Sequence, residues 1–145
     1  MTGERPSSGG PLAGVRVLDL TWVLSGPYAS MTLCDLGADV IKVERPPYGD
    51  VARTTSPYVG DESAYFFSIN RGKRSIVIDL RQERGRQLFL RLVEKVDVVM
   101  ENFTPGTMER LGLGYEVLSQ RNPRLIYAAT SGFGQTGPWR DKPAL

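Results

Sequence analysis

The chain has 145 residues, 41% of them hydrophobic and 23% charged, a formal net charge of +2 and no histidine. That suffices for one soluble domain with a real core. Its apolar runs fall far short of the ~20 residues that cross a bilayer, and neither the small charge nor any basic stripe among aromatics points to nucleic acid. The lack of histidine excludes Ser-His-Asp and Cys-His nucleophile pairs and imidazole metal sites from these residues. No metal is therefore expected, and any chemistry must come from carboxylates, basic groups or backbone dipoles.

The opening MTGERPSSGG carries Glu4 and no apolar run, so residues 1–11 read as a disordered lead-in rather than a signal peptide. A single cysteine, Cys34, forbids an intrachain disulfide and agrees with a reducing cytoplasm. Val15, Val17, Leu18 and Leu20 predict a short strand covered on both faces. Ser25 as N-cap, Pro27 at the first helical position and Gly37 at a left-handed stop predict a helix over 27–36. Cys34 falls inside it, where packing is its expected role. Val40, Ile41 and Val43 make a second strand. Strand, helix and strand form a βαβ unit, whose parallel pairing brings Thr21 and Arg45 to one edge. Open α/β sheets bind ligands at that edge.

Residues 46–70, with PPYGD and PYVGDES, read as a long irregular functional loop. A third strand is expected over 75–80, then a helix over 82–95 with Leu88, Phe89, Leu92, Val93 and Val96 on one face. A fourth strand over 97–100 ends at ENFTPG, and a helix over 115–121 is closed by Asn122-Pro123. A fifth strand over 125–130 runs into SGFGQTGP. The alternation argues for an α/β architecture with a mainly parallel sheet. Because Leu145 follows a turn with no closing element, the chain reads as the front part of a longer protein and the domain as incomplete.

On this reading the strand ends carry residues 21–25, Arg45, Arg81, 101–104 and 131–134, with Arg110 following soon after. Guanidinium groups suit phosphate oxygens, and a helix starting near Gly26-Pro27 adds backbone N–H groups, so a phosphorylated ligand is the natural guest. Nucleotide fingerprints are missing. WVLSGPYAS has one glycine where G-x-G-x-x-G would stand, Gly112-Leu113-Gly114 reads as a turn, and Gly72-Lys73 precedes Arg74 with Phe67 in place of a P-loop's first glycine. The spacing of the aspartates singles out no catalytic pair.

The segments VLDLTWVLSGPYASMTLCDLGADVIKVERPPYGD, NRGKRSIVIDLR, VDVVMENFTPGTMERLGLGYEVL, NPRLIY and SGFGQTGP stand in this order. Together they resemble the start of a class III CoA-transferase, the CaiB/BaiF family that includes formyl-CoA transferase. The resemblance covers residues 12–145. It implies a Rossmann-like domain with helices on both faces of the sheet, coenzyme A or acyl-CoA as substrate, a carboxylic acid as acceptor, and a longer subunit forming an interlocked cytoplasmic homodimer. It further implies that Val23, Leu24 and Ser25 line the thioester and pantetheine region, that Arg45 meets a phosphate, and that Ile78, Leu80 and Arg81 surround the adenine nucleotide end. Asn102, Phe103 and Thr104 would contact the coenzyme, Arg110 would pair with phosphate, and Ser131, Gly132, Phe133 and Gly134 would border the acyl site.

Formyl-CoA transferase has glutamine where this chain has Leu24 and lysine where it has Ser131, which argues against carrying over its oxalate and formate specificity. The family's nucleophile, an aspartate that forms a mixed anhydride and then an aspartyl-CoA thioester, is expected beyond Leu145, so the 145 residues alone are expected to bind but not to turn over. Two alternatives stand beside this reading. One is an α-methylacyl-CoA racemase, whose histidine would align with Leu145; the other is a CoA-binding module without catalysis.

Overall fold

The computed structural model describes residues 9–144. The expected lead-in lies mostly outside them, as does Leu145. Within the lead-in, Gly10 is tied into a turn by accepting from the Ala13 N–H at 3.0 Å.

In chain order the elements are β1 (Arg16–Asp19), α1 (Ser25–Asp35), β2 (Asp39–Glu44), a 3-10 turn (Val51–Thr54), β3 (Tyr58–Val59), β4 (Glu62–Ser63), α2 (Ala64–Asn70), β5 (Arg74–Val77), α3 (Glu83–Val93), β6 (Val98–Glu101), α4 (Thr107–Arg110), α5 (Tyr115–Arg121) and β7 (Ile126–Ala129). Five strands form a parallel sheet in the order β5-β2-β1-β6-β7. Counted in chain order this is 3-2-1-4-5, the first five places of the Rossmann order, with the direction of growth reversing beside β1.

Side-chain alternation assigns the two faces. Val17, Val40 and Met100 pack with Leu33 and Cys34 of α1 on one side. Leu18, Val43 and Val99 pack with Phe89 and Val93 of α3 and Leu118 of α5 on the other. Burial on both faces explains why the central strands read as nearly continuous aliphatic runs.

Several expectations need correction. The third strand, expected over 75–80, is β5 and ends at Val77, so Leu80 and Arg81 follow it in the loop to α3. Ser25 is the first residue of α1 rather than its cap: Leu24 occupies the N-cap position, and no side chain caps the helix. Tertiary contacts to the preceding turn set where α1 starts. Gly37, at φ +103°, does end the α1 turn in the left-handed region. Residues 46–70 are less irregular than expected, holding the 3-10 turn, the β3–β4 hairpin and α2. Phe66 and Ile69 of α2 bury themselves with Ala52 in a small core of their own. The single turn of α4 was not foreseen, because four residues are too few to show a helical period.

Candidate functional site

At the C-terminal edge of the sheet, the turn after β1 is held by side chains. Leu20 still donates to the Met100 carbonyl at 2.8 Å. Beyond it, Asp19 Oδ1 accepts from Thr21 N–H at 2.9 Å and also from the Thr21 hydroxyl. Lys42 Nζ donates to the Thr21 carbonyl at 2.7 Å. Asn102 brackets Trp22, accepting from its N–H and donating to its carbonyl, both at 2.9 Å. Asp50 Oδ1 accepts from Val23 N–H at 3.1 Å, while its Oδ2 lies 2.9 Å from Lys42 Nζ.

Beneath this turn the buried polar groups continue. Asp19 Oδ2 accepts from Ser30 Oγ at 2.6 Å and from Lys73 Nζ at 3.0 Å, and Lys73 also donates to the Pro27 carbonyl and to Asn70. Burial pulls the Lys73 ammonium below its ordinary range, and the facing Asp19 carboxylate works against that shift. Burial also pushes Glu44 up, but hydrogen bonds from Arg53, Ser75 and the Asp50 N–H outweigh it and bring the carboxyl down to about 2. At Glu101 burial wins: its carboxyl is raised despite accepting from Phe103 N–H and Tyr127 OH.

Above these groups opens a cavity of about 360 Å³, within the size range of small-molecule sites. Arg45 at the end of β2, Arg81 after β5 and Arg110 at the end of α4 all line it, with Leu20, Ile78, Leu80, Phe103 and Leu111 as apolar walls. Arg45 lies over the Trp22 ring, 4.7 Å from its centroid, and Trp22 meets Phe103 edge-on at 5.7 Å. Arg81 pairs with Asp79 at 2.9 Å, and Arg110 donates to Thr107 Oγ1 at 2.7 Å. Among the described residues, Arg45 and Arg110 form no ion pair with a carboxylate. An apolar cavity with three guanidinium groups on its lining fits a ligand that joins an apolar body to several phosphate charges.

Of the residues singled out from sequence, Arg45, Ile78, Leu80, Arg81, Phe103, Thr104 and Arg110 share this cavity. Val23, Leu24 and Ser25 are exposed on the adjoining turn, and Asn102 stands behind it as a bracket. Ser131, Gly132, Phe133 and Gly134 do not line the cavity, and Phe133 packs edge-on against Trp139 at 5.7 Å. Sequence reading gave no role to Lys42 and Asp50, and took in Trp22 only as part of the 21–25 strand end. The usable signal was Lys42, a charge set inside the apolar strand VIKVE.

Fold and site together define a Rossmann-like domain with a cavity at the carboxyl ends of its strands, lined by three arginines and by the carboxylates of Glu44, Asp50 and Asp79. The chain belongs to CoA-transferase family III, whose family model matches residues 12–145. It is 57% identical over 135 residues to an acetyl-CoA:oxalate CoA-transferase of Acetobacter aceti, covering 93% of this chain and 35% of that protein. It is 50% identical over 129 residues to a human succinyl-CoA:glutarate CoA-transferase, covering 88% and 30%. A CaiB/BaiF family protein from Brucella suis superposes with a TM-score of 0.87 at 50% identity, covering 92% of this chain and 36% of that one. The chain thus spans about a third of the length of these relatives, and the domain is incomplete relative to theirs.

Proposed function

We propose that the full-length protein moves CoA from an acyl-CoA to a carboxylic acid and that these residues supply its coenzyme-binding half-site. One observation carries the reading: Arg45, Arg81 and Arg110, brought from three separate segments, line one cavity at the strand ends. Phosphate groups of the coenzyme would meet these arginines, and the apolar walls would take the neighbouring uncharged part. Val23, Leu24 and Ser25, with the 131–134 loop, would face the thioester and the acyl group.

The net reaction converts RCO–SCoA and R′COO⁻ into RCOO⁻ and R′CO–SCoA; one thioester breaks and another forms, with no oxidant or reductant. An aspartate carboxylate carrying CoA as an aspartyl thioester would split the exchange into two steps. That aspartate is expected beyond residue 145, so these residues alone would bind CoA without turning over. A cytoplasmic homodimer is the proposed setting.

The test is a transfer assay on the full-length protein, with acetyl-CoA and succinyl-CoA as donors and a panel of mono- and dicarboxylates as acceptors. The expected result is formation of a new acyl-CoA with at least one acceptor. CoA binding without transfer to any acceptor would favour a binding module instead.

A further inference from the structure

Every backbone polar group from the Thr21 N–H to the Val23 N–H is matched by a side chain, and the side chains come from four places: Asp19 on β1, Lys42 on β2, Asp50 in the loop after β2, and Asn102 after β6. A mere connection between β1 and α1 would need no such accounting. Val23 has φ +69°, a left-handed backbone that is a genuine outlier for a β-branched residue and persists only where the surroundings hold it. Lys42 and Asp50 are each 1% exposed at the side chain. A buried ion pair gives back in attraction much of what it loses in hydration, so it is weak evidence for stability as such. This pair grips the turn on both sides of Trp22, Lys42 at the Thr21 carbonyl and Asp50 at the Val23 amide.

We propose that the Lys42–Asp50 pair, assisted by Asn102, is a positioning device that holds the strained turn at Val23 in one shape beside the cavity. The inference rests on the CoA-transfer reading, which puts the exposed Val23 and Leu24 at the reacting end of the ligand. Arg81 and Arg110 are held outside the turn, by Asp79 and Thr107, whereas Arg45 lies over the Trp22 ring within it and Lys42 and Asp50 themselves line the cavity. Loosening the turn therefore misplaces the thioester while Arg81 and Arg110 still anchor the coenzyme, and small misplacements of reacting atoms are costly to rate.

The test uses the full-length protein, with CoA itself as the calorimetric probe and the best donor and acceptor found in the transfer assay. Asp50→Ala is expected to lower kcat by tenfold or more and to raise the CoA dissociation constant by a clearly smaller factor, since Arg81 and Arg110 stay in place. Asp50→Asn keeps an oxygen for the Val23 amide but loses the charge facing Lys42, and is expected to lower kcat less, in the same direction. Adding Val23→Gly to either variant is expected to restore part of kcat, because glycine adopts the left-handed backbone unaided; a purely structural role gives no such recovery. Unchanged kcat, a parallel loss of CoA affinity, or no recovery with glycine overturns the proposal. If Asp50→Ala does not fold, the Asp50→Asn pair of variants decides alone. Absence of CoA binding in the unaltered protein would strike the functional reading instead. Hydrogen exchange across residues 21–24 would then still decide for the clamp if faster in Asp50→Asn, and against it if unchanged.

Discussion

At the scale of single residues, Arg110 offers the simplest test of the anion reading. Its guanidinium lines the cavity and, among the described residues, donates to Thr107 Oγ1 alone, so its truncation should remove a charge-assisted contact without unpairing a buried carboxylate. Arg110→Ala is expected to weaken CoA binding by about 1.5–3 kcal/mol, the scale of one such hydrogen bond; unchanged affinity by calorimetry on the full-length protein would remove Arg110 from the site. Arg45 and Arg81 were legible in the sequence because each follows an apolar run within a few residues, and a parallel sheet sends the ends of such runs to one edge; Arg110, nine residues past β6, reaches the cavity on the unforeseen α4. Asp50 was not legible, and Lys42 showed only as a lone charge inside an apolar strand. Their meaning depends on burial and on a pairing across a loop, neither of which periodicity encodes. Ser25 misled for a related reason: a residue suited to capping was displaced from the cap position once Asp50 and Asn102 fixed the turn ahead of it.

At the scale of elements, strand and helix identity was legible wherever the hydrophobic period was sustained, as in α3, where Phe89 and Val93 are buried as expected, although Leu88, placed on the same face, is 40% exposed and Leu90, left off it, is buried. It failed over residues 46–70, where a two-residue-stranded hairpin and a seven-residue helix are too short to display a period and are held by a small local core together with polar contacts. Glu44, at the end of β2, is the centre of that hold. Its carboxylate accepts from Arg53 Nε and Nη2, both at 2.7 Å, from Ser75 Oγ at 2.6 Å on β5, and from Asp50 N–H at 3.1 Å. Arg53 in turn lies over the Phe66 ring of α2, 3.8 Å from its centroid. Because the Glu44 carboxyl titrates at about 2 in the folded protein against an ordinary 4.5, the unfolded chain binds the extra proton in between. Its contribution is thus complete above about pH 4.5 and disappears as the pH falls toward 2, amounting to on the order of 3 kcal/mol. Glu101, with its carboxyl raised by burial, has the opposite sign and loses stability as the pH rises through its folded value. Urea unfolding at a series of pH values should therefore show Glu44→Gln with a flatter acid limb than the unaltered chain. Equal slopes would mean that the 3-10 turn and α2 are held by something other than this carboxylate.

At the scale of the whole molecule, the five-stranded sheet that gathers the arginines also leaves two strand edges open, at β5 and at β7. Each edge carries an exposed aliphatic side chain, Val77 and Ile126, both 62% exposed, and unpaired backbone along a hydrophobic edge is a template for association. Arg74 on β5, paired with Asp39 at 2.5 Å, puts charge on one of these edges, whereas β7 reads IYAA with no charge at all. The β7 edge is therefore the stickier of the two. Sedimentation velocity on the isolated 145-residue chain is expected to show a sedimentation coefficient that climbs with concentration, accompanied by binding of an apolar dye. Ile126→Lys places a charge on β7 without touching the cavity, which no β7 residue lines, so it should suppress association of the isolated chain while leaving the arginine-lined edge intact. If the lysine variant associates as readily as its parent, the contact lies elsewhere, and the β5 edge becomes the surface to alter next through Val77.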